Sequence, residues 1–401
     1  MAGLSSLGSP GFRMPFLAAI GAFVVALMIA LGVNGIGLRR WNATRNAHWT
    51  ERSRKLYPIR RSAALNIWLI PALCGVAGWA IFPAGRDPLI LFLVALGSWL
   101  GARLGTYPFD KGLFPQFSFR NWSQFVITAW ILRFGMLGPL VVAAAVMPDE
   151  IGWPVLAIGA VALCFQIALH FGLWIWMGVK LGLFEKANES EQVVMIVRQT
   201  SERMNISCRR IWKMRSPVGY AAALPMTRDL IFSEGLLRLH PEEEIAAICA
   251  HELAHLNESP SIHRARLISA FSLFPMIFVR PIFHLFDFVG VALLWLPSCF
   301  LAIYVRGLGR RMEVRADSIA RESENDSGVY ARALERLYQN NHVPAVMPGN
   351  RQIHPHLYDR MLAAGITPDY SRPVSPATLD WSSGLMIFLF VILFVVILAQ
   401  Q

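Results

Sequence analysis

The chain has 401 residues, of which 55% are hydrophobic and only 16% charged, where soluble proteins carry about a quarter charged. Too little polar material remains to clothe a water-exposed surface, which excludes an ordinary soluble enzyme and a disordered chain and makes lipid the solvent for the surplus. Lys and Arg number 37 against 26 Asp and Glu, a formal charge of +11; in a membrane protein such an excess sits in cytoplasmic loops and calls for no nucleic acid.

Crossing about 30 Å of hydrocarbon takes roughly 17–25 apolar residues. Runs of about that length lie at 16–36, 66–82, 88–104, 124–147, 153–179, 267–283, 288–305 and 382–399, which predicts about 7–8 transmembrane helices. The first run is too long for a signal-peptide core and no small-residue cleavage site follows, so it reads as a helix. The stretch 37–63 carries Arg39, Arg40, Arg45, Arg52, Arg54, Lys55, Arg60 and Arg61 against Glu51 alone. The positive-inside rule makes it cytoplasmic. Counting crossings then places 105–123, 180–266 and 306–381 inside and both termini outside. Within the spans, Arg133 and the i, i+4 pair Gln166 and His170 are costly in lipid; they either line a water-filled chamber or tie helices together by hydrogen bonds. His284 and Asp287 fall at the outer turn between the sixth and seventh runs. The five cysteines are scattered without a CxxC and read as buried thiols.

The first large inner stretch mixes patterns. Residues 190–204 read as an amphipathic helix, and 208–214, 219–224 and 228–233 as short strands. Then comes HPEEEIAAICAHELAHLNESP, from His240 to Pro260. Pro241 and the acids Glu242, Glu243 and Glu244 suit a helix start, and Pro260 is expected to stop the helix. The second inner stretch is helical in pattern over 306–340. Residues 343–381 are Pro-rich, with one short helix at 355–364.

His251-Glu252-Leu253-Ala254-His255 sits on the helix just described. Histidines at i and i+4 share one face, and their ring nitrogens can meet one Zn²⁺ at about 2.0–2.1 Å. Glu252 beside them suits a general base that takes a proton from the attacking water and passes it to the leaving amine. A third ligand is needed. Position 258 is Glu and position 261 is Ser, so a third histidine at metzincin spacing is absent. Glu258 follows His255 too closely for good ligand geometry, and Asp287 is assigned to the outer turn. Glu313 is the first acid after the hairpin 267–305 returns the chain to the inner side. Asp317, four residues on, is placed to accept the second ring N–H of a ligand histidine.

HExxH, two membrane helices, and then Arg310-x-x-Glu313-x-x-Ala316-Asp317 resemble the integral-membrane zinc metalloproteases that include the type I CAAX prenyl protease and HtpX, gluzincins with two His and one Glu on the metal. Tyr220-Ala221-Ala222-Ala223-Leu224-Pro225, Leu230-Ile231-Phe232 and Glu234-Gly235-Leu236-Leu237 are similar to that family's NAFALP…GLL segment. His354-Pro355 with Arg360 is similar to its C-terminal HP…R motif. The sequence departs at Tyr220 (Asn in the family), Ala222 (aromatic) and Arg306 (Asn in the prenyl protease), and the last apolar run is extra to a seven-helix plan. The resemblance implies a mostly α, polytopic membrane protein with a small α+β zincin-like cytoplasmic catalytic domain and one Zn²⁺ per chain. Arg310, His354 and Arg360 become candidates for steadying the oxyanion or contacting substrate, and Tyr220, Ala221, Ala222 and Ala223 for an edge strand that pairs with a peptide.

The expected organisation is a five-helix membrane region over 1–180, catalytic parts at 181–266 and 306–381 flanking the hairpin 267–305, and a final helix at 382–401. The expected function is a zinc endopeptidase in a bacterial inner membrane, cutting membrane-associated or misfolded proteins on the cytoplasmic side. A signal-relaying metalloprotease is the first alternative, though no outer stretch is long enough for a sensor domain. A channel or scaffold is the second, though no inverted repeat is visible and the metal motif would be idle.

Overall fold

A computed structural model describes residues 10–81, 87–135, 137–324, 326–349 and 355–399. Sixteen helices and one four-stranded sheet occur among them. Contacts divide the chain into two units: Met1–Phe119 with His342–Pro348 and Tyr370–Gln401, and Arg120–Asn341 with Gly349–Asp369.

The first unit holds α1 (Pro10–Asn42), α2 (Trp49–Ile81), α3 (Pro88–Leu104), α4 (Tyr107–Leu113) and the last helix of the chain (Trp381–Ala399). The basic stretch expected as a loop is mostly helical: α1 runs to Asn42 and α2 starts at Trp49. The apolar surfaces of these helices continue into good helix formers, so the charged residues extend the rods by their last turns. Glycines let α3 lie directly on α1. A Cβ at Gly97 would sit 2.4 Å from the Ala19 carbonyl oxygen, and one at Gly101 2.2 Å from that of Phe23, the close approach that small residues give helices in lipid. Ala26, Ala30, Ile70, Ala102 and Met386 form the core. Arg40 and Asp380 pair at 2.6 Å.

The second unit begins with α5 (Phe119–Phe134), α6 (Gly138–Val146), α7 (Trp153–Ala168) and α8 (Trp174–Lys180). The expected single span over 124–147 is therefore two shorter helices. Pro139 sits in the first turn of α6, where its ring pre-sets the new helix but breaks the hydrogen-bond ladder of a continuous one. The sheet follows, from β1 (Phe184–Lys186), β2 (Arg210–Met214), β3 (Ala221–Leu224) and β4 (Asp229–Ser233), in the order β1-β2-β4-β3. β2 and β4 are parallel, and both outer pairs are antiparallel. The three expected strands are present, and β1 adds a fourth.

Helix α9 (Gln192–Met204) and the HExxH helix α11 (Glu242–Leu256) cover the sheet, with the short α10 (Glu234–Leu239) between strand and helix. Val193 and Val197 of α9, Leu230 and Phe232 of β4, and Ile248 and Leu253 of α11 share one core. Pro260 does not end α11. That helix closes at Leu256, and Pro260 opens α12 (Pro260–Phe271), because a proline lacking its N–H fits a first turn, where that donor is free anyway. A short 3-10 turn at Phe274–Phe278 leads into α13 (Val279–Glu322). α13 folds back on itself at Asp287 (φ 50, ψ −148): a Cβ on Gly290 would lie 3.3 Å from the Ile282 carbonyl oxygen, which no straight helix allows. Ser298 then donates 2.7 Å to the carbonyl of Ser272, beside the end of α12. The chain thus reverses at Asp287. α14 (Val329–Asn340) and α15 (Leu357–Ala363) complete the unit, and the last helix of the chain is α16.

Five helical stretches among the described residues are long and apolar enough to cross a membrane: Pro15–Asn42, Trp49–Trp79, Leu89–Leu113, Trp153–Lys180 and the bent Pro260–Glu322. The apolar part of α16, Trp381–Val395, is shorter.

Candidate metal centre

Helix α11 is fixed at its start by a buried charge cluster. Glu244 turns inward from the first turn, 2.8 Å from His240 Nδ1 and 2.9 Å from Arg336 Nε. Burial alone would raise the Glu244 pKa, but the His240 and Arg336 hydrogen bonds outweigh it and hold the carboxyl below its ordinary value. Two turns on, Ile248 and Leu253 are buried in the core, and His251 and His255 emerge on the other face, each only 7% exposed.

Helix α13 brings Glu313 against both rings. Oε2 lies 3.4 Å from His251 Nε2, and Oε1 lies 3.6 Å from His255 Nε2. One ligand atom from each of the three residues falls within 4.8 Å of the others. Tetrahedral ligands about 2.0–2.1 Å from zinc are roughly 3.4 Å apart, so the two histidine–glutamate separations suit a group that could hold a metal ion. The hairpin accounts for this meeting, since it returns the chain from α12 to the plane of α11.

The far nitrogen of each ring is held by an acid that an arginine braces. His251 Nδ1 lies 2.7 Å from the Tyr330 hydroxyl and 3.1 Å from Asp317 Oδ1. Tyr330 in turn donates to Asp317 at 2.7 Å, and Arg360 donates to Asp317 through Nε at 2.8 Å and Nη2 at 2.6 Å and to the Tyr330 oxygen at 2.8 Å. On the second histidine, Nδ1 is 2.9 Å from Glu258 Oε1, which also accepts from Arg266 Nη2 at 2.6 Å. Each acid fixes a proton on Nδ1 and aims Nε2 toward Glu313, so that a bound metal would displace any proton on Nε2 and meet the lone pair a ligand needs. Burial opposes charge on His251, but Asp317 and Glu313 overcome it and raise its pKa to about 9. The donor set therefore attracts positive charge.

Burial pushes the Tyr330 hydroxyl well above its usual range, so it stays a neutral bridge. Tyr330 and Arg266 are absent from the sequence reading, which weighs Glu258 only as a ligand. Its place three residues past His255, just beyond the end of α11, is the signal for the role it takes.

The other anticipated residues fall in several places. Glu252 shares the helix with the two histidines and sits close enough to Tyr220 that its charge, added to burial, pushes the Tyr220 hydroxyl to about 12. Tyr220 leads into β3, whose Ala221, Ala222 and Ala223 pair with β4 on one side only among the described residues. Asn341 clamps the entry to that strand: its Oδ1 accepts from the Gly219 N–H at 2.9 Å and its Nδ2 donates to the Gly219 carbonyl at 2.7 Å. Arg310 is exposed on α13, one turn before Glu313. Arg360 lies behind His251, on the side away from Glu313, with its guanidinium on Asp317. Gln166 is buried and ties α7 to α12, donating 2.8 Å to the Ala270 carbonyl; His170 lines a cavity. The Arg133 side chain and His354 lie outside the described residues.

Residues 187–365 match the model of peptidase family M48. The chain is similar to a protease HtpX homolog of Acaryochloris marina, 24% identical over 223 residues that make up 51% of this chain and 76% of that protein. It is 29% identical to protease HtpX of Hahella chejuensis over 223 residues, 50% of this chain and 72% of that one. A Burkholderia multivorans HtpX homolog is 24% identical over 202 residues, 45% of this chain and 69% of its own. The matched region contains both histidines, Glu313 and the residues that brace them, and over it the chain is similar to the HtpX-type metallopeptidases of family M48.

Proposed function

We propose that this protein is an integral-membrane zinc endopeptidase that cuts peptide bonds of membrane-associated or misfolded proteins on the cytoplasmic side of a bacterial inner membrane. The observation that carries the reading is the convergence of His251 Nε2 and His255 Nε2 on the Glu313 carboxylate, with Glu252 next to His251 on the same helix. The basic ends of α1 and α2 support a cytoplasmic orientation.

His251, His255 and Glu313 would hold the metal. Zinc, when bound, supplies a Lewis acid that polarises the scissile carbonyl and acidifies water at neutral pH. Glu252 takes the proton of the attacking water and returns it to the leaving amine. The open edge of β3 holds the peptide extended by main-chain hydrogen bonds, and Arg310, exposed beside Glu313, and His354 are the remaining candidates for steadying the oxyanion. Asp317, Tyr330 and Arg360 orient His251; Glu258 and Arg266 orient His255.

Metal analysis of detergent-purified protein, paired with cleavage of casein, tests this reading. Wild type and Glu252→Gln should each carry about one zinc, Glu313→Ala much less, and only wild type should cut. Wild type purified without chelator and free of zinc would overturn the assignment.

A further inference from the structure

A cavity of about 290 Å³ lies at the C-terminal end of β3. Ile131, Leu169, Trp174 and Leu224 give it apolar walls, and His170, Thr227 and Arg266 are the polar residues among its lining. Nε2 of His170 and Oγ1 of Thr227 are both buried and have no hydrogen-bond partner among the described residues. Buried polar atoms are almost always satisfied, and a polar group bound in the cavity would satisfy these two.

The backbone is shaped around this space. After Ala168 the helix passes into a π turn, Leu169–Leu173, in which Phe171 (φ −90, ψ 17) and Gly172 (φ 105, ψ 10) leave helical geometry. Only glycine takes the Gly172 conformation without strain. A Cβ there would sit 3.5 Å from Thr227 Cγ2, so the loop after β3 packs on the turn. Interruptions of this kind concentrate at functional sites. The cavity also borders the metal centre, because Arg266 in its wall donates to Glu258, the partner of His255.

We infer that this cavity receives one substrate side chain, a large ring with a polar tip, tyrosine foremost. The inference rests on the peptidase reading and on β3 as the peptide's partner. A peptide paired along that edge runs past Ala223 and Leu224, which also wall the cavity. Pockets for whole small molecules span about 300–1,000 Å³; this one lies at the lower limit, the scale of a single side chain. Its apolar walls take the ring, and the unpaired His170 and Thr227 atoms meet the hydroxyl.

The test reads binding, without turnover. Full-length Glu252→Gln in detergent is titrated with fluorescein-labelled nonapeptides of alanine and glycine carrying one Tyr, Phe or Ala at each central position in turn. One position should bind Tyr roughly tenfold or more tighter than Ala, and several-fold tighter than Phe. Adding Thr227→Val should erase the preference for Tyr over Phe and keep that over Ala. Adding Ile131→Trp, which fills the space, should erase both. Equal binding of all three peptides at every position, or preferences that survive both substitutions in proteins with parental zinc content, overturns the pocket. Casein cleavage by wild type is scored separately. Cleavage with flat peptide preferences overturns the pocket alone. A Tyr preference without cleavage overturns the peptidase reading and leaves the cavity as a site for aromatic peptide side chains.

Discussion

The Tyr330 hydroxyl lies 2.7 Å from Nδ1 of His251, with the two rings stacked at 5.7 Å and 20°. The contact joins α14 to the HExxH helix and selects the His251 tautomer. Tyr330→Phe keeps the stack and removes only the oxygen. Zinc affinity should fall about 10- to 100-fold while the fold persists. Competition with a chromophoric chelator measures it; unchanged affinity would mean that Asp317 alone orients the ring.

Arg360 and Asp317 form a buried pair, with side chains 7% and 9% exposed. Removing the arginine alone strands a buried carboxylate, so Arg360→Met should cost about 3–5 kcal/mol of stability. Asp317→Asn added to it should cost less than the sum of the single changes. Denaturant unfolding of the metal-free proteins gives all the corners of this cycle.

Glu244 sets a pH limit. Its carboxyl titrates below the ordinary 4.5 in the fold, since His240 and Arg336 outweigh burial. A lowered folded pKa contributes stability above the unfolded value and loses it as pH falls through the folded one. Glu244→Gln should therefore be destabilised by about 1–3 kcal/mol at neutral pH, and its gap from wild type should close below 4.5. Unfolding free energy measured against pH for both proteins checks the sign. A constant gap would show that the cluster acts through packing and not charge.

Gly101 is where α3 touches α1, with a Cβ there falling 2.2 Å from the Phe23 carbonyl oxygen. Gly101→Val must push the helices apart and should cost about 1–3 kcal/mol. Gly21, which meets nothing within 4 Å, should accept the same change with little loss. Thermal aggregation in detergent ranks the two variants.

Much of the metal centre was legible because its signals are local. HExxH places two candidate ligands on one helical face by spacing alone, and Glu313 is singled out as the first acid after the predicted hairpin. The residues behind the ligands were harder. Tyr330 carries no charge and no motif, and its contact with His251 exists only once α14 packs on α11. Glu258 and Asp317 illustrate the same limit from opposite sides: both are acids three or four residues past a candidate ligand, yet only Asp317 is read as a brace from the sequence. Arg360 was legible as a functional position through its HP…R context, but the direction of its guanidinium depends on where α15 docks. In the membrane region, hydropathy found the apolar runs. It missed the break in 124–147, where Pro139 opens a new helix; Pro58 and Pro71 lie within α2 without ending it, so a proline in an apolar run does not by itself mark a break.

The fold-back of α13 at Asp287 has a consequence for biosynthesis. His251 and His255 leave the ribosome before the hairpin, and Glu313 after it. The donor triad therefore forms only when both arms have been made and have folded back. Until then the nascent chain carries two of the three candidate ligands. The order of synthesis thus sets the order of assembly: the site is completed by the part of the chain made last, after the fold-back.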